Sequence, residues 1–204
     1  MGSVSALDGF SPATREWFAG AFAAPTDAQI GAWDAISSGQ HALVVAPTGS
    51  GKTLSAFLWS LDRLASTPVP EEPRHRCRVL YVSPLKALAV DVERNLRAPL
   101  TGIRHAATRL GLPEPDLRVA IRSGDTPADE RRAFARRPTD ILITTPESLY
   151  LMLTSAARET LMGVEAVQVP LDWIVPEILG CLQSSRGPQL VAMLDEDEAS
   201  TEVV

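Results

Sequence analysis

Lysine is nearly missing from this 204-residue chain. Of nineteen cationic side chains only Lys52 and Lys86 are lysines; the rest are arginines. A lysine kept in such a background points to a position that needs a compact, mobile point charge. Cysteine is scarce too. Cys77 and Cys181 lie far apart in unrelated contexts, which excludes a disulfide scaffold and reads as free thiols in a reducing, cytoplasmic compartment. The three histidines are scattered and offer no zinc-ligand spacing. No run approaches the ~20 apolar residues of a membrane span. The start Met1-Gly2-Ser3-Val4-Ser5-Ala6 lacks a basic-then-apolar signal pattern, so no membrane partner is expected. The net charge of −6 is unevenly spread, because Asp195-Glu196-Asp197-Glu198 and Glu202 crowd the last ten residues. The remainder is near neutral. That excludes a basic coat, and a polyanionic partner would have to meet a local face.

What is present is a globular composition, 45% apolar and 22% charged. The length suits one domain, or one domain and a tail. Short, β-branched, apolar runs recur at Ala42–Val45, Val79–Ser83, Leu117–Ile121, Ile141–Thr144 and Val164–Val169. Strands buried on both faces of a parallel sheet look like this, and the segments between them are long enough for helical crossovers. The fold class is therefore α/β: a mostly parallel, doubly wound sheet with helices on both faces. Ser83-Pro84, Thr126-Pro127 and Thr145-Pro146 follow three of these strands. Each pairs an N-cap residue with proline at a first helical position. In a parallel sheet such exits share the carboxyl edge, where open α/β sheets bind ligands. Residues 66–77 and 111–115 read as surface loops.

The first strand feeds Ala46-Pro47-Thr48-Gly49-Ser50-Gly51-Lys52-Thr53, which opens a helix. Strand, Gly-rich turn, Gly-Lys-Thr and helix together form a phosphate-binding loop. Thr48, Gly49, Ser50 and Gly51 can turn successive backbone N–H groups toward one concave site. The helix adds its positive dipole end. Lys52 supplies charge for the outer phosphates of ATP, and the Thr53 hydroxyl can hold Mg²⁺. Lys52 and Thr53 are the catalytic candidates. Upstream, Pro25-Thr26-Asp27-Ala28-Gln29 places Thr26 and Gln29 in a capping box. The Gln29 amide also suits adenine recognition, since it offers both an acceptor and donors. One residue can do both only if different atoms serve each role. Trp17, Phe18 and Phe22 are candidates to stack on the base.

The ordered segments Pro25–Gln29, Ala46–Thr53, Ser83-Pro84-Leu85-Lys86-Ala87-Leu88, Arg122-Ser123-Gly124-Asp125-Thr126 and Thr144-Thr145-Pro146-Glu147-Ser148-Leu149 together resemble superfamily 2 DEAD/DEAH-box-like helicases. Their wording is similar to the large helicase-related (Lhr) branch. The resemblance covers roughly residues 10 to 167. It implies a RecA-like domain over 1–169, an ATP-driven motor, and single-stranded DNA or RNA held at Pro84, Lys86, Arg122, Gly124, Thr144, Thr145 and Pro146. Backbone N–H groups at helix starts, with one lysine and one arginine, suit sequence-independent phosphate contacts. Arg131-Arg132 and Arg136-Arg137 add a charged helix, more simply read as a solvated face.

The resemblance breaks where P-loop motors need carboxylates for Mg²⁺ and water. The family's D-E-x-H follows the last of these strands; here Pro170 and Leu171 stand in its place. Residues 170–204 read as a divergent segment with an acidic tail. Asp195-Glu196 has the look of the missing motif but comes about 25 residues late by the family's spacing. The resemblance also implies a second RecA-like domain that would supply an arginine finger, and none is expected within these 204 residues. The chain is expected to be a truncated or frame-disrupted helicase domain, or a short protein that kept the site and lost the motor. A non-hydrolysing binding module is the alternative reading.

Overall fold

Six parallel strands carry the architecture, in the order β1-β6-β5-β2-β4-β3. The structure, a computed structural model, describes residues 6–170 and 188–195. In chain order the elements are α1 (Pro12–Ala21), α2 (Asp27–Ser37), β1 (Ala42–Ala46), α3 (Lys52–Ser66), β2 (Val79–Val82) and α4 (Lys86–Arg109). They continue with β3 (Val119–Arg122), α5 (Ala128–Arg136), β4 (Ile141–Thr144), α6 (Pro146–Leu153), β5 (Ala166–Pro170) and β6 (Gln189–Asp195), plus 3-10 turns at Pro73–His75 and Ala156–Leu161. No described helix is long and apolar enough to cross a membrane.

The central strands are buried on both faces, which explains their unbroken apolar sequences. Leu80 pairs with Leu142 and Tyr81 with Ile143. Ile141, Leu142 and Ile143 are fully buried, each worth about 1.5–3 kcal/mol relative to exposure. One face packs on α1 to α4 through Phe18, Trp33, Phe57, Leu61, Leu96 and Ile103. The other packs on α5 and α6 through Phe134, Leu149 and Met152. β1 sits at an edge of the sheet and alternates buried and exposed residues, leaving Leu43 59% and Val45 44% exposed.

Two expectations need correcting. Of the three Ser/Thr-Pro exits, only Thr145-Pro146 starts a helix as expected, with Thr145 as N-cap and Pro146 in the first turn. α4 begins at Lys86 with Leu85 as its uncapped N-cap, because the Ser83 hydroxyl donates to Leu85 O at 2.9 Å and closes a local turn. α5 begins at Ala128, because the Thr126 hydroxyl accepts from Ser123 N at 2.8 Å and folds the loop back first. The apolar run before the acidic tail is a strand. β6 lies between β1 and β5, parallel to both, with Ala42 opposite Val191 and Val169 opposite Ala192.

The amino edge of the sheet holds a buried ionic cluster. The Asp140 side chain is fully buried at the start of β4. Its Oδ2 accepts from Arg76 Nη2 at 3.0 Å and from Arg118 N at 2.9 Å. Arg78, also buried, lies 3.6 Å from Oδ1 and donates to Thr67 Oγ1 at 2.6 Å. Cys77 is buried beside this cluster. Burial, then the Asp140 charge, push its thiol up to about 12, so it is an inert free thiol. Cys181 lies outside the described residues.

Candidate nucleotide and nucleic-acid site

The loop from Ala46 to Thr53 takes its shape from its glycines. Gly49 and Gly51 have φ of 84° and 85°, the left-handed region that side chains disfavour. Gly51 is the N-cap of α3. A Cβ on it would come within 2.5 Å of Gln29 Nε2, so strain and space both require glycine. α3 therefore opens at Lys52 with its first amides lacking helical acceptors. Ser50 Oγ is buried and has no hydrogen-bond partner among the described residues. Two left-handed glycines, a helix N-terminus and an orphaned hydroxyl fit a phosphate chain. Lys52 Nζ donates to Ala46 O, which draws the ammonium back over the loop.

Thr26 and Gln29 form the expected capping box. Gln29 Oε1 accepts from Thr26 N at 3.0 Å, and Thr26 Oγ1 accepts from Gln29 N at 3.3 Å. The Thr26 hydroxyl also donates to Ser50 O at 3.0 Å, tying this turn to the loop. The acceptor of Gln29 is thus used for capping, and its Nε2 stands over Gly51. A cavity of about 480 Å³ adjoins, lined by Trp17, Phe22, Gln29, Lys52, Thr53 and Pro99, among others. Phe18 is not a stacking residue. It is 1% exposed, wedged between Trp33 and Phe22 at ring distances of 5.7 and 4.8 Å. Trp17 holds its place against α4 because Gly102 leaves room; any Cβ there would collide with its indole.

The other predicted residues line the carboxyl edge, at the ends of β2, β3 and β4. Lys86 Nζ lies 2.8 Å from Asp125 Oδ2, both well exposed. The lysine holds the Asp125 carboxyl below the usual range, first by its hydrogen bond and then by charge. This pair links the loop after β2 to the loop after β3, beside Pro84 and the exposed Gly124. Thr144 is fully buried and donates to Arg122 O at 2.7 Å, so its hydroxyl fixes β3 against β4. Thr145 Oγ1 accepts from Ser148 N, and Pro146 is buried beneath. Arg122 is half-buried, and its Nε has no partner among the described residues.

For metal, Thr53, the residue named from the sequence, lines the cavity beside the loop. No group of three or more His, Cys, Asp or Glu that could hold an ion occurs among the described residues. β5 ends at Pro170, and Leu171 lies outside the described residues. β6 instead brings the backbone of Asp195 into register with Ala46. Sequence reasoning missed Gln168, fully buried one strand from β6. Its Nε2 donates to Ala56 O at 2.8 Å and Ser60 Oγ at 2.9 Å, tying β5 to α3. A polar residue inside an otherwise apolar strand was the available signal.

The DEAD/DEAH box helicase family profile matches residues 26–201. The chain is 60% identical over 189 residues to the Lhr helicase/probable uracil glycosylase of Mycolicibacterium smegmatis, covering 93% of this chain and 12% of that protein. It is 53% identical to the Lhr helicase/uracil glycosylase of Escherichia coli, again covering 12% of it. Among solved structures, the M. smegmatis Lhr helicase bound to single-stranded DNA and AMP-PNP superimposes with a TM-score of 0.81 at 52% identity, over 93% of this chain and 25% of that one. Mss116p bound to single-stranded RNA and AMP-PNP shares the fold, with a TM-score of 0.71 at 16% identity. The chain thus spans about an eighth of the length of these two Lhr relatives. Its ordered motifs, its RecA-like sheet and these similarities together make it a member of the DEAD/DEAH box helicase family.

Proposed function

We propose that this chain is the ATP-binding and nucleic-acid-binding RecA-like domain of an Lhr-type helicase, working in the cytoplasm. The RecA-like unit is read over residues 1–169, with 170–204 as a divergent continuation from which β6 completes the sheet between β1 and β5. The observation that carries the reading is the joined cradle: left-handed Gly49 and Gly51, the start of α3, and Thr26 bonded to Ser50 beside the cavity under Gln29. In this reading Thr48 to Lys52 hold the phosphates, Gln29 Nε2 donates to adenine and Thr53 holds Mg²⁺. Pro84, Lys86, Arg122, Gly124, Thr144, Thr145 and Pro146 form or support a sequence-independent track for single-stranded DNA or RNA. The M. smegmatis relative bound to single-stranded DNA and AMP-PNP supports both ligands.

Motor-rate turnover is not expected of these 204 residues. Pro170 at the end of β5 can neither ligate a cation nor orient water, and a second domain would be needed for an arginine finger and a closing cleft. That observation favours a non-hydrolysing binding module as the second reading. Steady-state ATPase with saturating single-stranded DNA separates the two. Turnover far below 1 per second, with measurable ATP binding, is the expected result; turnover near 1 per second that Lys52→Ala abolishes would refute the binding-only reading.

A further inference from the structure

α5 is lightly anchored: Phe134 is its sole buried residue. Between its inner face and the edge strand β3 lies a groove of about 300 Å³, lined by Arg122, Glu130, Arg131, Phe134, Arg137 and Thr139, among others. Glu130 and Phe134, and Arg131 and Phe134, are neighbours at helical spacing, and Arg137 joins them from the residue that caps the end of α5. Arg132 and Arg136 do not line the groove; Arg136 Nε donates to Arg132 O along the outer surface.

The charges in the groove are unbalanced. Arg122, Arg131 and Arg137 form no ion pair among the described residues, although Glu130 is a neighbour on the same helix. Arg122 Nε is buried without a partner. Arg122 and Arg131 both line the groove; desolvation, and then the Arg131 charge, lower the Arg122 pKa from its ordinary value. At the other edge of the sheet Arg76 and Arg78 share the Asp140 carboxylate, although Arg78 Nε too lacks a hydrogen-bond partner among the described residues; Arg122 has no such carboxylate. A cavity between like charges calls for an anion with several acceptor oxygens, which guanidinium forks match.

We infer that the groove between β3 and α5 binds a backbone phosphate of the single strand, extending the track past Arg122 along the inner face of α5. The inference rests on the nucleic-acid reading given above. Arg122 is the junction, since it belongs both to the groove and to the rim beside Thr144 and Thr145. The strand leaving the rim passes over the edge of the sheet, and Arg131 and Arg137 take the next phosphate. Phe134 anchors the helix that carries them.

Two matched double variants test this in the whole chain. Arg131→Gln with Arg137→Gln empties the groove of two charges; Arg132→Gln with Arg136→Gln removes two from the outer face. Binding of a fluorescent oligo-dT is measured by anisotropy between 20 and 200 mM salt, with circular dichroism to verify folding. For the groove pair the salt slope is expected to fall by about 0.7, the share of one single-strand phosphate, with affinity down a few-fold at low salt. The outer pair should change little, and Arg131→Lys with Arg137→Lys should restore the slope. Equal loss in both pairs, or no loss in the groove pair while Lys86→Ala still weakens binding, overturns the groove and leaves the rim standing. No oligo-dT binding by the wild type overturns both. A groove pair that loses inorganic phosphate binding by calorimetry yet keeps its oligo-dT slope identifies a free-phosphate site and overturns the strand path.

Discussion

The two ends of the same sheet treat charge in opposite ways. At the amino edge, Asp140 is buried, and Arg76, Arg78 and the Arg118 backbone all close on it. At the carboxyl edge, Lys86 meets Asp125 in solvent, Arg122 Nε has no partner among the described residues, and α3 presents its N-terminus. Charge at one end is buried between strands, whereas charge at the other faces solvent, where the proposed ligands would meet it. Stability and binding are thus assigned to opposite rims, and substitutions should separate them.

The largest effect is expected from Asp140→Asn. Removing one partner of a buried ionic cluster strands the rest, at a cost of about 3–5 kcal/mol. Urea unfolding should report it while the nucleotide affinity of the folded fraction stays unchanged; a loss below 1 kcal/mol would break the contrast. Next comes Lys52→Ala, expected to weaken ATP binding by tenfold or more, since hydrogen bonds to charged groups are worth about 1.5–3 kcal/mol. Calorimetry checks the affinity, and a thermal melt without nucleotide should barely move. Equal affinities would remove the site assignment. Gln29→Glu sharpens the comparison inside one residue. The carboxylate can still accept from Thr26 N–H but has no Nε2 donor, so the helix start should survive while ATP preference over GTP falls several-fold in competition binding. A residue used only as a cap would leave that preference intact. The smallest effect belongs to Lys86→Ala with Arg122→Ala. Few cations mean few released counterions, so oligonucleotide affinity should drop a few-fold with no preference among sequences. A strong sequence preference in the wild type would count against a backbone track.

The strands and the phosphate loop were legible because their signals are local. Ile141-Leu142-Ile143 cannot easily be anything other than a buried strand, and Gly49-Ser50-Gly51-Lys52-Thr53 states its own turn chemistry. The Gln29 ambiguity was legible too, down to the need for two atoms in two roles, and the structure assigns Oε1 to the cap. Phe18 was misjudged because adjacent aromatics on a helix point to different sides, and only packing decides which faces the cavity. Ser83 and Thr126 satisfy their own loops before the helices begin. That competition between a local turn and an N-cap depends on geometry the sequence does not carry. Asp140 and Arg76 are 64 residues apart, so only the topology reveals them as partners. β6 was hidden by its acidic continuation, which made a short apolar run look like the base of a solvated tail.

The position of β1 bears on how this chain behaves in company. Its outer side carries backbone groups with no strand beside them among the described residues, and Leu43 and Val45 stand half-open on one face. An apolar, unpaired edge is a template for any passing strand. The strand that leads into the glycine-rich loop is therefore also an open, apolar edge among the described residues. Crowding two copies edge to edge would press on Ala46, the residue whose carbonyl holds Lys52. Self-association and nucleotide occupancy would then compete for the same few residues of backbone.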